Sequence, residues 1–180
     1  MLSTVVWNGG GNDSNWGNPQ NWNTHAVPAT GDDVVIDTGS SAATVTMSAP
    51  DTASLNSLTM GGNDTLSLSG SSLTVNDLAI GRNDTLINSG YLMVDGNVTL
   101  QGSLSMTAGT LAVSGAGASM TLNGITALSD AGLIAEAGAT LSLPNLVSCT
   151  GQDYALVATG AGSTLTLANL TALPGGLTRL

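Results

Sequence analysis

Gly61-Gly62-Asn63-Asp64-Thr65-Leu66-Ser67-Leu68 returns twenty residues later as Gly81-Arg82-Asn83-Asp84-Thr85-Leu86. That return decides the fold. Outward from it, from about Ala43 to Leu177, the chain repeats one short phrase: apolar, polar, apolar, then Gly, Asn, Asp or Ser. Val45-Thr46-Met47, Leu66-Ser67-Leu68, Leu73-Thr74-Val75 and Met120-Thr121-Leu122 are examples. Longer phrases return as well: Gly117-Ala118-Ser119-Met120-Thr121-Leu122, Gly138-Ala139-Thr140-Leu141-Ser142-Leu143 and Gly162-Ser163-Thr164-Leu165-Thr166-Leu167 follow at intervals of 21 and 24 residues. A three-residue strand with period-two alternation buries two side chains and exposes one, too little to stand alone. It becomes stable when like triplets stack above and below it, which is the logic of an array. No stretch carries a helix-length apolar stripe of period 3.6, so the coils are strand and turn only. The fold expected is all-β: a single-stack parallel β-helix of about six or seven coils of roughly 20 residues, a rod on the order of 30 Å long.

Residues 1–38 read differently and are assigned to an N-terminal cap with the first strand entering the stack; residues 39–180 are the coils. All three tryptophans lie early, in Trp7-Asn8-Gly9-Gly10-Gly11-Asn12-Asp13-Ser14-Asn15-Trp16 and Asn21-Trp22. Turn residues dominate until Val34-Val35-Ile36, which reads as that first strand. An open solenoid end exposes apolar core and strand edges, and an atypical terminal repeat covers them. The string from Trp7 to Ile36, with Pro28 and Gly31-Asp32-Asp33 inside it, resembles the opening module of large repetitive bacterial surface and secreted proteins. The later phrases, Gly117 to Leu128, Leu141 to Thr150 and Gly160 to Leu173, resemble the β-helical repeats of giant planctomycete-type exoproteins. The resemblance implies an exported β-solenoid and is nearly silent about activity, because that architecture serves adhesins, fibres and carbohydrate-active enzymes alike.

Composition narrows the partners. There is no lysine; Arg82 and Arg179 are the only fixed cations, and twelve acidic residues leave a net charge of −10. Nucleic acid binding needs several cations to displace condensed counterions, and anionic membranes need them too. Neither partner is expected, and no apolar run has the length to insert in a membrane. Charged residues are only 8% of the chain, well below the share of a typical soluble surface, which suits an extracellular or cell-surface structure poised for assembly. Met1-Leu2-Ser3-Thr4 does not open a signal peptide, so export requires a leader outside this numbering. Cys149 is the only cysteine and reads as a small buried stack residue, with a reactive or intermolecular thiol as the alternative.

The same Asn-Asp phrase that sets the period supplies the metal candidates. Gly61 to Leu66 resembles one repeat of the calcium-binding nonapeptide family, and Gly81 to Leu86 a partial second copy, in which Asp64 and Asp84 would be the ligands. The family needs copies about nine and eighteen residues apart, whereas here the interval is 20 and Arg82 replaces a glycine. Turn chemistry is the competing reading: stacked Asn and Asp cap the corners, with Asp64 directly over Asp84 and Arg82 relieving the like-charge contact. No cofactor is expected, with calcium as the one alternative.

No catalytic residues are assigned. His25 is the only histidine and no GxSxG elbow occurs. Asp32, Asp33, Asp37 and Asp51 gather near the start of the coils, Asp77 and Asp95 stand singly at turns, and Glu136 is alone, so a polysaccharide lyase or hydrolase lacks its cationic partner. Thr44-x-Thr46, Thr65-x-Ser67, Ser103-x-Ser105, Ser119-x-Thr121, Thr140-x-Ser142 and Thr164-x-Thr166 set paired hydroxyls on successive strands, as an ice-binding array or a lateral contact would. Sequons stand at Asn12, Asn63, Asn83, Asn97 and Asn169.

The chain is therefore read as a non-enzymatic structural protein, a subunit or segment of a cell-surface fibre or sheath assembled by end-to-end stacking. Its partner is itself, head to tail, through a bare C-terminal coil whose contacts are Leu170, Leu173, Leu177 and Leu180. The alternative is an adhesin or glycan-binding spacer of a giant surface protein, for which Tyr91 and Tyr154 are the only aromatics beyond residue 22.

Overall fold

The computed structural model describes residues 3–106, 108–151 and 155–173. The chain is an all-β parallel β-solenoid of about six turns, as its repeat spacing predicts. Each turn lays three short strands on three sides of one core. The first face stacks Thr4–Val6, Asp33–Asp37, 57–61, 77–80 and Val98–Leu100 in parallel. The second stacks Thr44–Ser48, 65–69, 85–88 and Ser103–Met106. The third runs from 52–55 through 72–75, 91–94, 110–113 and 133–136 to 156–159 without a break. The first face resumes in Ser119–Thr121, Thr140–Ser142 and Thr164–Thr166, and the second in Ala127–Ser129 and Ser148–Thr150.

The register explains the sequence intervals. Thr65 lies over Thr85, so the two Asn-Asp phrases are the same corner one turn apart. Ser119 lies over Thr140 and Thr140 over Thr164, so the intervals of 21 and 24 residues are coil lengths.

Inward positions form columns of like side chains: Leu66, Leu86 and Leu104 on the second face, and Leu55, Val75, Val94 and Val113 on the third. These and the other inward positions make one core running from Val5 to Leu156. Full burial of each such side chain stabilises the fold by about 1.5–3 kcal/mol, which no isolated triplet gathers. Asn88 interrupts the column between Leu68 and Met106 and is fully buried. Its amide donates to Thr110 O at 2.8 Å and its oxygen accepts from Gly90 N at 3.0 Å, so the buried polar group is satisfied.

The N-terminal segment is an irregular turn of the same rod. Thr4–Val6 already pairs with Asp33–Asp37, so the ladder starts one strand earlier than the Val34-Val35-Ile36 run predicts. Trp16 N donates to Thr46 O and Thr46 N to Ser14 O, covering the second face; Gly31 N donates to Ser54 O, covering the third. Trp7, Trp16 and Trp22 are buried together, with Trp22 edge-on to both partners at centroid distances of 5.0 and 4.8 Å. The indole N–H of Trp22 donates to Trp16 O at 2.8 Å. Asn21 is the polar hub of this cap, donating to Asp13 and Asn15 O and accepting from Gly11 N.

Candidate functional site

The two ends of the rod differ. At the N-terminal end the outer edge of Thr4–Val6 is occupied, because Asn23 N donates to Val6 O at 2.9 Å and Trp7 bridges to Trp22 in antiparallel sense. At the other end of the described residues, Thr164–Thr166 pairs only with Thr140–Ser142, and Ala172 bridges back to Ser148. The outer edge of that last strand carries no pairing among the described residues. Inward side chains follow the same gradient: Leu141 and Leu143 are fully buried, whereas Leu165, Leu167 and Leu170 are partly buried and Leu173 is 41% exposed. Leu170 and Leu173 thus sit at the uncovered end of the core. Leu177, Leu180 and Tyr154 lie outside the described residues.

Asp64 and Asp84 stand at the corner between the first and second faces, one turn apart, as the period requires. Asp64 reaches to the preceding turn, where it accepts from Thr38 N at 2.8 Å, from the Thr38 hydroxyl at 2.5 Å and from Ala43 N at 2.7 Å. Asp84 does the same one turn on, taking Asn63 N at 2.9 Å and Asp64 N at 2.7 Å on one oxygen. Both carboxylates are fully buried; the second oxygen of Asp84 has no partner. Three of the four oxygens therefore face N–H or O–H donors, which is corner-capping chemistry and not an oxygen cage for Ca²⁺. Among the described residues no group of three or more His, Cys, Asp or Glu is placed to hold a metal ion. The relief expected from Arg82 is replaced by backbone amides: Arg82 is exposed and no ion pair joins it to either carboxylate among the described residues.

The hydroxyl pairs do not form one array. Thr44 and Thr46, Thr65 and Ser67, and Ser103 and Ser105 belong to the second face, while Ser119 and Thr121, Thr140 and Ser142, and Thr164 and Thr166 belong to the first. Ile87 interrupts the second-face series between Ser67 and Ser105.

No family model, curated protein or solved structure matches this chain. What it does is therefore argued from its own surfaces.

The remaining candidates are placed as follows. Asp32 and Asp33 are held in bonds at the start of the third-to-first corner: the Ser3 hydroxyl and Ala29 N donate to Asp32, and Asn56 and Ser57 donate to Asp33, which lowers both pKa values. His25 is exposed in a left-handed turn, with φ 53°. Glu136 and Asp95 share the third face with Tyr91, whose pKa is raised first by burial and then by those two charges. Cys149 is buried in the stack over Leu128, and burial raises its thiol pKa, as a structural cysteine requires. Asn12, Asn63 and Asn83 are exposed at left-handed turn positions.

Among the described residues the first ladder has no pairing between Val98–Leu100 and Ser119–Thr121 and the second none between Ser103–Met106 and Ala127–Ser129, whereas the third face crosses. The seam opens into adjoining clefts of about 150 and 320 Å³. A signal for it was present in corner length: two residues separate the strands ending at Leu100 and beginning at Ser103, but five separate those ending at Thr121 and beginning at Ala127.

Proposed function

We propose that the chain is a non-enzymatic structural protein of an extracellular surface, a subunit or segment of a fibre or sheath built by end-to-end stacking of β-solenoids. The observation that carries this is the unlike pair of ends: a tryptophan-plugged N-terminal edge and, at the far end of the described residues, an unpaired strand over a half-covered leucine stack. An unpaired parallel edge over apolar side chains is complemented by another coil of the same kind, which continues the ladder and buries the stack. Unlike ends also mean a heterologous contact, which extends and does not close. The lysine-free, weakly charged surface and the resemblance to exoprotein repeats support an extracellular place for it.

Two partners complement that edge: a second copy, head to tail, and the next segment of a longer solenoid. The second copy offers its cap, whose strand edge is already taken by Trp22 and Asn23, so the cleaner complement is a continuing coil. A second functional reading, a glycan-binding spacer, draws on Tyr91, which is 36% exposed on the third face beside Met93. Glycan-array binding that disappears in Tyr91→Ala would favour it.

The stacking reading is tested by electron microscopy and sedimentation of the chain over a range of concentrations. Particles lengthened in steps of the rod are expected, with Leu173→Asp abolishing the lengthening while tryptophan emission stays native. Association unchanged in Leu173→Asp would overturn the role of this edge, and single rods at every concentration would overturn stacking of copies and leave the next segment of a longer solenoid as its complement.

A further inference from the structure

The seam offers strand edges on both lips. On the upper lip Thr140 N donates to Ala118 O at 2.8 Å and Leu122 N donates to Ser142 O at 2.9 Å, so residues 118, 120 and 122 bond to the coil above. Alternate residues of a parallel strand bond to opposite neighbours, so the peptide groups of Ser119 and Thr121 are directed into the seam. On the lower lip Leu78 N donates to Asn97 O at 2.9 Å and Gln101 N to Ile80 O at 2.8 Å, which leaves the peptide groups of Val98 and Leu100 directed upward. Those four residues, with Asn123, line one cleft.

The floor is apolar. Val98 and Leu100 are only partly buried, while Leu78 and Ile80, the inward residues directly beneath them, are 1% exposed. Leu104 and Leu122 line the adjoining cleft with Gly102, Ser103, Thr121 and Gly124. The two corners at the seam differ. A Cβ on Gly102 would overlap the carbonyl oxygens of Gly81 and Asp84, so this short corner is pressed onto the coil below, whereas a Cβ on Gly124, in the five-residue corner above, would meet nothing within 4 Å.

We propose that the seam is a strand-acceptor site, taking one extended polypeptide segment of low charge with apolar side chains at alternate positions. Only a strand supplies N–H and C=O groups at the two-residue spacing of Ser119 and Thr121 while placing side chains on Leu100 and Leu122. No ionisable or aromatic side chain lines the clefts, so neither an anion nor a stacked sugar ring finds its complement there. The site is separate from the terminal edge and does not depend on axial stacking.

The test uses the full chain and a labelled synthetic peptide of residues 138–143, the stretch that pairs with Ser119–Thr121 from the other side. Saturable binding is expected, weakened at least about tenfold when alternate peptide nitrogens are N-methylated and likewise in Thr121→Pro, while Leu165→Pro, which removes an outward-facing N–H of the terminal edge, binds as the parent does. Hydrogen exchange on the unsubstituted protein reads the site without a variant, since the Ser119 and Thr121 amides should slow when the peptide is added. Absent saturable binding, equal binding of the N-methylated peptide, or loss in Leu165→Pro with retention in Thr121→Pro would overturn the assignment.

Discussion

The turns before Leu100 and those after Ser119 use the same phrase and are held differently. Before the seam three ladders run together, and the first-to-second corner is clamped by buried side chains that cross between coils, Asp64 onto Thr38 and Ala43, and Asp84 onto Asn63 and Asp64. After it the strands of the first two faces are three residues long, and the equivalent corner is joined by an exposed amide, Asn145 donating to Asn123 O. Stacking apolar triplets makes a solenoid in both regions. Corner chemistry decides how tightly successive turns are registered.

The largest break in that comparison is Asp64→Ala. It strands the amides of Thr38 and Ala43, while the Thr38 hydroxyl keeps Ser41 O as an acceptor, and bonds to a charged acceptor contribute about 1.5–3 kcal/mol each before non-additivity. A loss of about 3 kcal/mol or more in urea denaturation is expected. A loss under about 1 kcal/mol would mean that the apolar columns alone register the turns.

Glycine substitutions sharpen the same point at smaller scale. Gly109 has φ +81° and its Cβ would overlap the carbonyl oxygen of Gly90, with Gly90 N at 2.8 Å. Gly117 has φ +86° and open space around its Cβ position. Both carry the left-handed penalty of about 1–2 kcal/mol for alanine, but only Gly109→Ala also forces two coils apart. Gly109→Ala should therefore cost clearly more than Gly117→Ala in thermal denaturation; equal costs would place the coils further apart at that corner than the contact implies.

Much of this was legible in the sequence because stacking copies itself into the chain. The period, the all-strand coils and the superposition of Asp64 on Asp84 all follow from repeated residues. Three things did not. A triplet such as Ser119-Met120-Thr121 does not say which of three faces it occupies, since that depends on the lengths of the corners before it, and so the hydroxyl pairs seemed one array. Thr4–Val6 lies among turn residues and pairs only because Asp33–Asp37 returns over it. The Asn-Asp corner spells the same letters whether its carboxylate faces a cation or an amide; the geometry of Thr38 and Ala43 separates the two.

Acid separates the cap from the coils. Asp13 is lowered by bonds from Asn15 N and the Asn18 and Asn21 amides, Asp32 by Ser3 and Ala29, and Asp33 by Asn56 and Ser57. A carboxylate lowered in the folded state contributes stability that is present above its unfolded value, about 3.9, and is lost as pH falls through the lower folded value. The cap should thus loosen below about pH 4. Because every tryptophan is in the cap, a red-shift of emission on acidification should precede loss of the far-ultraviolet strand signal. Coincident changes would show that cap and coils melt as one unit.

The smallest expected effect is at Asn145, and it is informative for being small. Its amide donates to Asn123 O at 2.8 Å in an exposed corner, where water replaces the bond when the side chain is removed. Asn145→Ala should cost about 0.5 kcal/mol, near the low end for a hydrogen bond, against the larger loss for Asp64→Ala. The same variant speaks to the seam, because Asn123 lines both clefts. If Asn145 holds Asn123 in place on the upper lip, its loss should speed hydrogen exchange at Leu122, whose amide donates to Ser142 O, without touching the Thr85 amide, which donates to Asp64 O one corner below the seam. Equal acceleration at both amides would mean that the regions on either side of the seam open together, and the contrast between their corners would then be one of composition and not of local stability.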